Sequence, residues 1–331
     1  MLNYEDIFQS SPPGFLERKP QDLAGSIQRQ SDFYIENPGS PTPWSKDWCK
    51  EAQTSYYNIL NSARMAQVFQ RLDQVGFLEG ISELHDFGSG LGATVHGLNN
   101  LRDIKMPLFL YEQADWPRQF LAKTFDCKTP VSRPKPFDKN GLLAASYSFN
   151  ELKDLPKWIS DFDHILIVEP ATHQASRKLL GWRSDLIEKG YHVWAPCTHQ
   201  GACPLLTESA KDWCHDGVRF EPPKNLELIY QRLPFASEYL TFCYLAVSKR
   251  APVLEGAARI TGDRRKEKGK LRQMVCFRSQ REFLTGMKKN SSFNGCYRGE
   301  LIQIPEFEEK SNELRITAQP ELYDAHQSKP E

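Results

Sequence analysis

Strand-like and helix-like segments alternate through the middle of the chain, from about residue 81 to residue 250. The strand-like segments are short and apolar: SELHDFG, MPLFLYEQ, LLAASYSFNEL, HILIVEP, YHVWAPC and EYLTFCYLAVSKR. Between two of them, HQASRKLLGWRSDLIEKG predicts an amphipathic helix with Leu179, Leu186 and Ile187 on one face. Strands that alternate with helices form a mostly parallel sheet, so the sequence predicts an α/β domain over residues 81–250.

Regions of different character flank this domain. Residues 1–80 are predicted to be helical, because apolar residues from Met65 to Val75 recur at helical spacing. Residues 251–304 contain short strand-like pieces and no clear helix, which indicates a small β-rich domain. From Pro305 onwards the chain is polar and acidic, so residues 305–331 are expected to form a flexible tail.

Composition excludes several classes of protein. The chain has 331 residues, of which 40% are hydrophobic and 25% charged, as in proteins with a substantial core. No apolar run reaches the length of a membrane span, and the first residues lack the features of a secretory or transit peptide. The 42 basic and 42 acidic side chains cancel, so there is no global charge footprint for nucleic acid. We expect a cytoplasmic monomer, most simply from a bacterium, with no membrane partner.

A glycine-rich turn follows the first predicted strand. The stretch HDFGSGLGAT places Gly88, Gly90 and Gly92 between this strand and a helix. Glycines at such a point let the backbone approach a ligand, and the helix N-terminus offers free N–H groups. The pattern G-x-G-x-G, preceded here by Asp86, is typical of class I S-adenosylmethionine-dependent methyltransferases, whose fold is Rossmann-like. Glu112, at the end of the next strand, can accept both ribose hydroxyls of the adenosyl group.

We therefore expect S-adenosylmethionine at this turn, with NAD as the second choice and a purely structural turn as the alternative. The end of the strand in LLAASYSFNEL would then lie beside the methyl group, where Tyr147, Phe149, Asn150 and Glu151 either line the pocket or cap a helix and pack in the core. The candidate cofactor-binding residues are Asp86, Gly88, Ser89, Gly90, Gly92, Glu112, Phe149 and Asn150.

No motif identifies a catalytic residue. The Asn-Pro-Pro-Tyr motif of amino-group methyltransferases is missing. The pair Pro196–Cys197 is similar to the Pro-Cys nucleophile of RNA cytosine-5 methyltransferases, in which a thiolate attacks the base. The acid that usually precedes that pair is absent, and the close cysteine neighbours of Cys197 fit a metal ligand better. The catalytic residue stays unknown.

The stretch APCTHQGACPLLTESAKDWCH contains three cysteines, Cys197, Cys203 and Cys214. The chain has eight cysteines and no export signal, which argues against a disulfide framework. Three thiols on one loop can converge on a metal, but a closed site needs four ligands. Cys276 is the strongest fourth candidate, with His199 and His215 as competitors. The spacing lacks the tight C-x2-C of structural zinc, so an iron–sulfur cluster is favoured, with zinc and unrelated reduced thiols as alternatives.

A run of cations directly precedes Cys276. Its members are Arg264, Arg265, Lys266, Lys268, Lys270 and Arg272. Segregated cations in a neutral protein suit phosphate contacts with structured RNA, and a solvated loop is the alternative.

Five motifs taken in order, DFGSGLG, YSFNEL, IVEPAT, APCTHQGACPL and DWCH, resemble the Rsm-type methyltransferase-like proteins of the mitochondrial small ribosomal subunit and their bacterial relatives. The resemblance covers about residues 55 to 300, and the APC…WCH stretch is its specific part. It implies a class I methyltransferase fold and a role in small-subunit assembly and translation. It also implies a four-iron, four-sulfur cluster, whose ligands by position are Cys197, Cys203, Cys214 and Cys276. Ala171 departs from the family's usual Gly after EP.

Together these features predict an S-adenosylmethionine-binding, cluster-containing methyltransferase-like protein that engages the small ribosomal subunit through its rRNA. One alternative is a catalytically active rRNA base methyltransferase. Another is a structural or redox-sensing protein that carries the cluster and has only a vestigial cofactor site.

Overall fold

The computed structural model describes residues 18–325. Residues 1–17, where we expected no leader peptide, and residues 326–331, the end of the predicted tail, lie outside the described residues. The chain divides into two compact units. Unit one contains Met1–Phe69, Ile81–Phe162 and Val218–Thr241, and unit two contains Gln70–Gly80, Asp163–Gly217 and Phe242–Glu331.

The α-helices are α1 (Pro20–Glu36), α2 (Asp47–Ala52), α3 (Asn58–Gln74), α4 (Ala93–Leu101), α5 (Asp115–Thr124), α6 (His173–Glu188), α7 (Pro204–Glu208) and α8 (Lys224–Tyr230). A π-helix at Gln53–Tyr57 joins α2 to α3, and a 3-10 helix spans Lys157–Asp161. The strands are β1 (Glu83–Phe87), β2 (Leu108–Tyr111), β3 (Gly141–Ser146), β4 (His164–Glu169), β5 (His192–Ala195), β6 (Asp216–Arg219), β7 (Tyr239–Ser248), β8 (Ala257–Ile260), β9 (Arg265–Glu267), β10 (Lys270–Phe277), β11 (Gln280–Met287), β12 (Leu301–Gln303), β13 (Phe307–Lys310), β14 (Glu313–Ile316) and β15 (Glu321–Leu322). None of the helices within residues 18–325 is long and apolar enough to cross a membrane.

Unit one is built around three parallel strands with β1 in the middle. Asp86 of β1 is paired with Leu110 of β2 on one side and with Ala144 of β3 on the other. The carboxyl ends of all three strands therefore meet at one edge, where ligands bind in α/β proteins. α1, α3, α8 and the π-helix add an apolar cluster that includes Ile27 and Ile59, both fully buried.

Unit two contains the later strands of the α/β region. The long strand β7 runs antiparallel to β4 and to β5, with Glu169 of β4 opposite Cys243 and Ala195 of β5 opposite Ala246. A parallel β2–β1–β3 core with a glycine turn after β1, together with a late antiparallel strand between two earlier ones, is the strand arrangement of class I methyltransferases. The predicted α/β, class I methyltransferase fold is confirmed.

A second sheet occupies the C-terminal part of unit two. Its strand order is β13–β14–β11–β10–β8–β12–β15, and β9 pairs with β10 at the side. Fully buried Val275 and Leu284 lie at its centre. The expectation of a flexible tail from Pro305 is wrong for β13, β14 and β15. In β14 the buried Leu314 and Ile316 alternate with charged residues, and the strand pairs with distant β11, so the overall acidity hid the strand pattern.

Candidate functional site

The turn between β1 and α4 has its three glycines in the left-handed region, with φ of 73° at Gly88, 52° at Gly90 and 82° at Gly92. A Cβ at Gly88 would lie 2.5 Å from Cβ of Ser148. One at Gly92 would lie 2.5 Å from the ring of Phe125. These two positions therefore require glycine both for conformation and for space.

Gly90 is the open glycine of this turn. A Cβ there would meet only a ring atom of Trp44, at 3.9 Å. The N–H of Gly90 donates to Oε2 of Glu112 at 3.2 Å, and the N–H of Ala114 donates to Oε1 at 3.0 Å. Each carboxylate oxygen has a second lone pair, so Glu112 keeps acceptor capacity for two hydroxyl groups. The structure brings together the turn and the acid that the sequence singled out.

Asp86 is buried under the turn, with 1% of its surface exposed. Its Oδ1 accepts from the Thr94 hydroxyl at 2.9 Å, and its Oδ2 has no hydrogen-bond partner among the described residues. The Ser89 hydroxyl donates to the Asp86 carbonyl at 2.7 Å. Burial raises the pKa of Asp86 to about 7, and the hydrogen bond from Thr94 offsets only part of this effect. Asp86 and Ser89 thus hold the turn in shape from its buried side.

The loop after β3 begins with a strained residue. Tyr147 has φ of 58°, which is rare for a bulky side chain, and the Arg64 guanidinium lies 5.8 Å from its ring centroid. Phe149 is fully buried and packs against Phe87, with ring centroids 5.5 Å apart. Asn150 is exposed. Of the two roles that the sequence left open for Phe149, the structure shows core packing.

Two tryptophans that sequence reasoning missed lie beside the turn. Trp44, whose ring faces Gly90, stacks on Trp116 with ring centroids 5.6 Å apart and planes at 28°. Trp116 lies in the first turn of α5, just after Glu112, and stacks on Phe120 at 6.1 Å. Half-buried indole rings offer the kind of surface on which a purine stacks. Nothing in the local sequence links the two tryptophans, so only the structure reveals the pair.

Unit two contains a cavity of about 30 Å³ that we call the cysteine cavity. It is lined by Cys197, Cys203, Cys214 and Cys276. Three come from the predicted loop and its helix α7, and the fourth lies on β10. Within residues 18–325, no group of three or more histidine, cysteine, aspartate or glutamate side chains is arranged so that it could hold a metal ion as it stands. The four thiols therefore line the same cavity, but their present arrangement is not that of metal ligands.

The thiols around this cavity have raised pKa values. Burial is the largest cause, and it raises the pKa of Cys214 to about 12 and also raises those of Cys203 and Cys276. Neighbouring cysteines are the next cause, because a thiolate at one position repels a thiolate at another. Thiolates can therefore coexist here only with positive charge among them, which a bound metal or cluster provides.

The two competing histidines lie close to the cysteines. His199 lines the cysteine cavity, and its Nε2 is 3.6 Å from Sγ of Cys276. Burial, and next the positive charge of Arg183, lower the pKa of His199 to about 4, so its ring is neutral. His215 lines an adjoining cavity, and burial lowers its pKa as well.

Cys243 lies on β7 and also faces the adjoining cavity. Its thiol donates to the carbonyls of Glu169 and Pro170, at 3.5 Å and 3.3 Å, and is 3% exposed. Cys243 is thus a small side chain buried in the sheet.

Part of the predicted basic face is neutralised inside the C-terminal sheet. Nζ of Lys270 lies 3.0 Å from Oε1 of Glu313, and Nη1 of Arg272 lies 3.4 Å from Oε1 of Glu267. The Arg272 guanidinium also covers the Phe283 ring, at 3.7 Å from its centroid. Lys270 and Arg272 therefore form ion pairs within the C-terminal sheet and contribute to its stability.

The remaining cations of the run are more accessible. Arg264 donates to the carbonyl of Cys296 and is exposed. Arg265, Lys266 and Lys268 are exposed on the β9–β10 hairpin, and no ion pair within the described residues involves them. Four of the six predicted RNA-binding side chains, Arg264, Arg265, Lys266 and Lys268, thus form no ion pair among the described residues.

Solved structures with some similarity to this chain include a proposed RNA methyltransferase from Pyrococcus horikoshii, at 13% identity and a TM-score of 0.36 over 70% of this chain and 99% of that one. The plantazolicin methyltransferase BpumL in complex with SAH has 13% identity and a TM-score of 0.35, over 68% of this chain and 99% of that one. The methyltransferase domain of METTL16 has 12% identity and a TM-score of 0.33, over 57% of this chain and 68% of that one. At these scores, the fold assignment rests on the strand arrangement described above.

Among functionally curated proteins, none matches the chain significantly. One family model, described as mitochondrial small ribosomal subunit Rsm22, matches residues 130–298. The matched segment begins after the glycine turn and Glu112, and it includes all four residues Cys197, Cys203, Cys214 and Cys276. It covers 169 of the 331 residues, more than half of the chain. The chain therefore belongs to the Rsm22 family of the mitochondrial small ribosomal subunit.

Proposed function

We propose that this protein binds S-adenosylmethionine, carries a four-iron, four-sulfur cluster on the four cysteines of the cysteine cavity, and acts in the cytoplasm in small ribosomal subunit assembly by binding rRNA. The observation that carries the proposal is the hydrogen bond between Gly90, the open glycine of the turn, and Glu112. A hydroxyl acceptor therefore lies beside the point of the turn where a ligand has room.

The residues around the turn fit the parts of the cofactor. Glu112 accepts the two ribose hydroxyls, and the glycine backbone allows close approach at Gly90. Trp44 and Trp116 offer a flat apolar surface for the adenine ring. When bound, S-adenosylmethionine supplies an activated methyl group on a sulfonium centre. These protein groups hold and orient the cofactor.

The donor set of the cysteine cavity suits a thiophilic metal centre. Thiolate sulfur is the preferred ligand of both zinc and iron–sulfur clusters. We favour the cluster because the spacing of the three loop cysteines lacks the close pair of zinc knuckles. The fourth sulfur comes from β10, so the centre would stabilise the packing of the loop against the C-terminal sheet.

The ribosomal role is supported by the family and by the β9–β10 hairpin. The matched family is described as a small ribosomal subunit family, and the matched segment includes the hairpin. The exposed cations Arg265, Lys266 and Lys268, which form no ion pair among the described residues, suit contacts with RNA phosphates.

Calorimetry with S-adenosylmethionine and with S-adenosylhomocysteine tests the cofactor site. We expect both ligands to bind wild type, and Glu112→Ala to weaken binding about 100-fold, because two hydrogen bonds to a charged group are removed. Asp22→Ala, an exposed acid on α1, is the control and should bind as wild type does. Absence of heat at millimolar ligand, or equal binding by Glu112→Ala, would refute the proposed site.

The strained conformation of Tyr147 favours a second candidate, an active rRNA base methyltransferase. Strained residues persist where surrounding structure enforces them, and they cluster at active sites. Tyr147 directly follows β3, at the strand edge that carries the glycine turn, and Arg64 lies over its ring. An aromatic ring and a guanidinium can hold an unstacked base between them.

Transfer of labelled methyl groups from S-adenosylmethionine to small-subunit rRNA separates the two candidates. An active enzyme should label the RNA, and Tyr147→Ala should abolish labelling while leaving cofactor binding intact. If wild type binds the cofactor but labels neither naked rRNA nor immature subunits, the assembly role without catalysis is supported.

A further inference from the structure

Two arginines are buried next to the cysteines. Arg183 on α6 is 1% exposed and Arg259 on β8 is 2% exposed. Neither guanidinium forms an ion pair with a carboxylate among the described residues. A buried charge without a partner is strongly destabilising, so a bound anion beside the two guanidinium groups would stabilise the fold.

The remaining donors of the two arginines identify where that anion belongs. Nη2 of Arg183 donates to the carbonyl of His199 at 2.8 Å, and its Nε has no hydrogen-bond partner within residues 18–325. Nε of Arg259 donates to the carbonyl of Pro196 at 2.8 Å and Nη1 donates to that of Gly299 at 2.8 Å, while Nη2 has no partner in the part of the chain that the structure describes. Hydrogen bonds to backbone carbonyls thus fix both arginine side chains. Each guanidinium still has one buried N–H group that can donate to a bound anion.

Both arginines line the cavity that adjoins the cysteine cavity, together with Cys197 and Cys214. Arg259 also lines the cysteine cavity itself. Arg183 is close enough to stabilise the thiolate forms of Cys203 and Cys276 electrostatically. Each of the two arginines therefore lies near several of the four sulfur atoms.

The other ionised side chains on these two cavities are already paired. Asp216 lies 3.1 Å from Arg71, and Arg281 lies 3.1 Å from Asp212. The charge left uncompensated is that of Arg183 and Arg259, two positive charges. Four thiolates around a zinc ion, or around an oxidised four-iron, four-sulfur core, carry two negative charges. The protein and the thiolate centre are therefore complementary in charge.

We propose that Arg183 and Arg259 are the counter-charges of the thiolate centre, and that they determine how firmly the metal is retained. They act as positioning residues, through charge and through their unpartnered N–H groups, and they are not metal ligands. This inference rests on the proposed thiolate centre and adds to it two residues outside the cysteine motif.

Anaerobic reconstitution of the full chain with iron and sulfide tests the inference. The variants are Arg183→Met, Arg259→Met and the corresponding lysine variants. Arg250→Met is the control, because Arg250 also donates to backbone carbonyls of unit two but does not line either cavity. Iron and sulfide per chain, the rate of iron loss to a chelator, and the rise in Tm on loading are measured for each protein.

We expect each methionine variant to lose iron to the chelator about 100-fold faster than wild type, since a desolvated charge partner is gone. The lysine variants should recover most of the retention, because they restore the charge. The rise in Tm on loading should shrink in the methionine variants, while the metal-free forms should be unchanged or more stable. A merely structural role would lower the Tm of the metal-free form as well.

Two results would overturn the inference, and they differ. If wild type loads and both methionine variants retain iron as well as Arg250→Met does, the arginines are not counter-charges and the thiolate centre stands. If wild type takes up no iron and sulfide, the proposed cluster fails, and the inference fails with it.

Discussion

At the scale of single residues, the burial of Asp86 makes stability depend on pH. Its folded-state pKa of about 7 lies above its ordinary value of 3.8, so the folded protein binds a proton that the unfolded chain has released. The free energy of unfolding is therefore highest below about pH 4. It falls by about 4 kcal/mol as pH rises from about 4 to about 7, because over this range the unfolded chain releases the proton that the folded protein keeps.

We therefore expect Asp86→Asn to be more stable than wild type at about pH 8, with an advantage that disappears near pH 4. Urea unfolding of both proteins across this range measures the difference. Asp22→Asn, an exposed acid, serves as the control. A difference between Asp86→Asn and wild type that is constant with pH would contradict the assigned burial effect.

Gly90 and Gly92 separate the ligand-binding and folding roles of the turn. Gly90→Ala meets no protein atom closer than 3.9 Å, so it costs only the left-handed conformation, about 1 kcal/mol. Gly92→Ala adds a clash with the ring of Phe125 and should destabilise the protein by several kcal/mol.

We expect Gly90→Ala to fold but to lose affinity for S-adenosylhomocysteine at least about tenfold, because its methyl group fills the open space. Calorimetry and urea unfolding measure both effects, and full affinity in Gly90→Ala would place the ligand elsewhere.

At the scale of elements, the β9–β10 hairpin divides the basic run into two functions. Replacing Arg265, Lys266 and Lys268 together with Gln should weaken binding to a small-subunit rRNA fragment. It should also lower the slope of log affinity against log salt by about one unit for each phosphate that the variant no longer neutralises. The control replaces Lys270 and Arg272, whose removal should reduce stability more than the salt slope because both are paired within the sheet. Equal slopes in wild type and the triple variant would return the hairpin to the role of a solvated loop.

Elements with a local signal could be predicted from the sequence, and elements that depend on distant partners could not. The turn after β1 and the acid after β2 could be recognised from the residues next to Gly90 and Glu112 in the sequence. In the structure, the N–H of Gly90 donates to the Glu112 carboxylate. The strand β14 owes its existence to pairing with β11, so its charged residues suggested a tail instead. The pairing of Arg272 with Glu313 likewise requires two strands far apart in the chain.

At the scale of the whole molecule, the cysteine motif predicted four sulfur atoms around one cavity but not the charges around them. Arg183 follows helical spacing as any surface arginine would, and only the fold shows that it is buried. Trp44 and Trp116 likewise become a pair only when the segment before α2 reaches the glycine turn. A side chain's burial and its remote partners are properties of the folded chain, which short motifs do not encode.

Native mass spectrometry of the intact, anaerobically purified protein weighs cofactor and cluster on the same molecule. With S-adenosylmethionine added, we expect wild type to carry one cofactor and one four-iron, four-sulfur cluster per chain. Cys276→Ser should lose the cluster mass and keep the cofactor. Cys296, a buried cysteine in the loop between β11 and β12, packs against the same sheet but lies outside the cysteine cavity, so Cys296→Ser should keep both. A wild-type protein that shows the mass of the polypeptide alone, with neither cluster nor cofactor, would contradict the account.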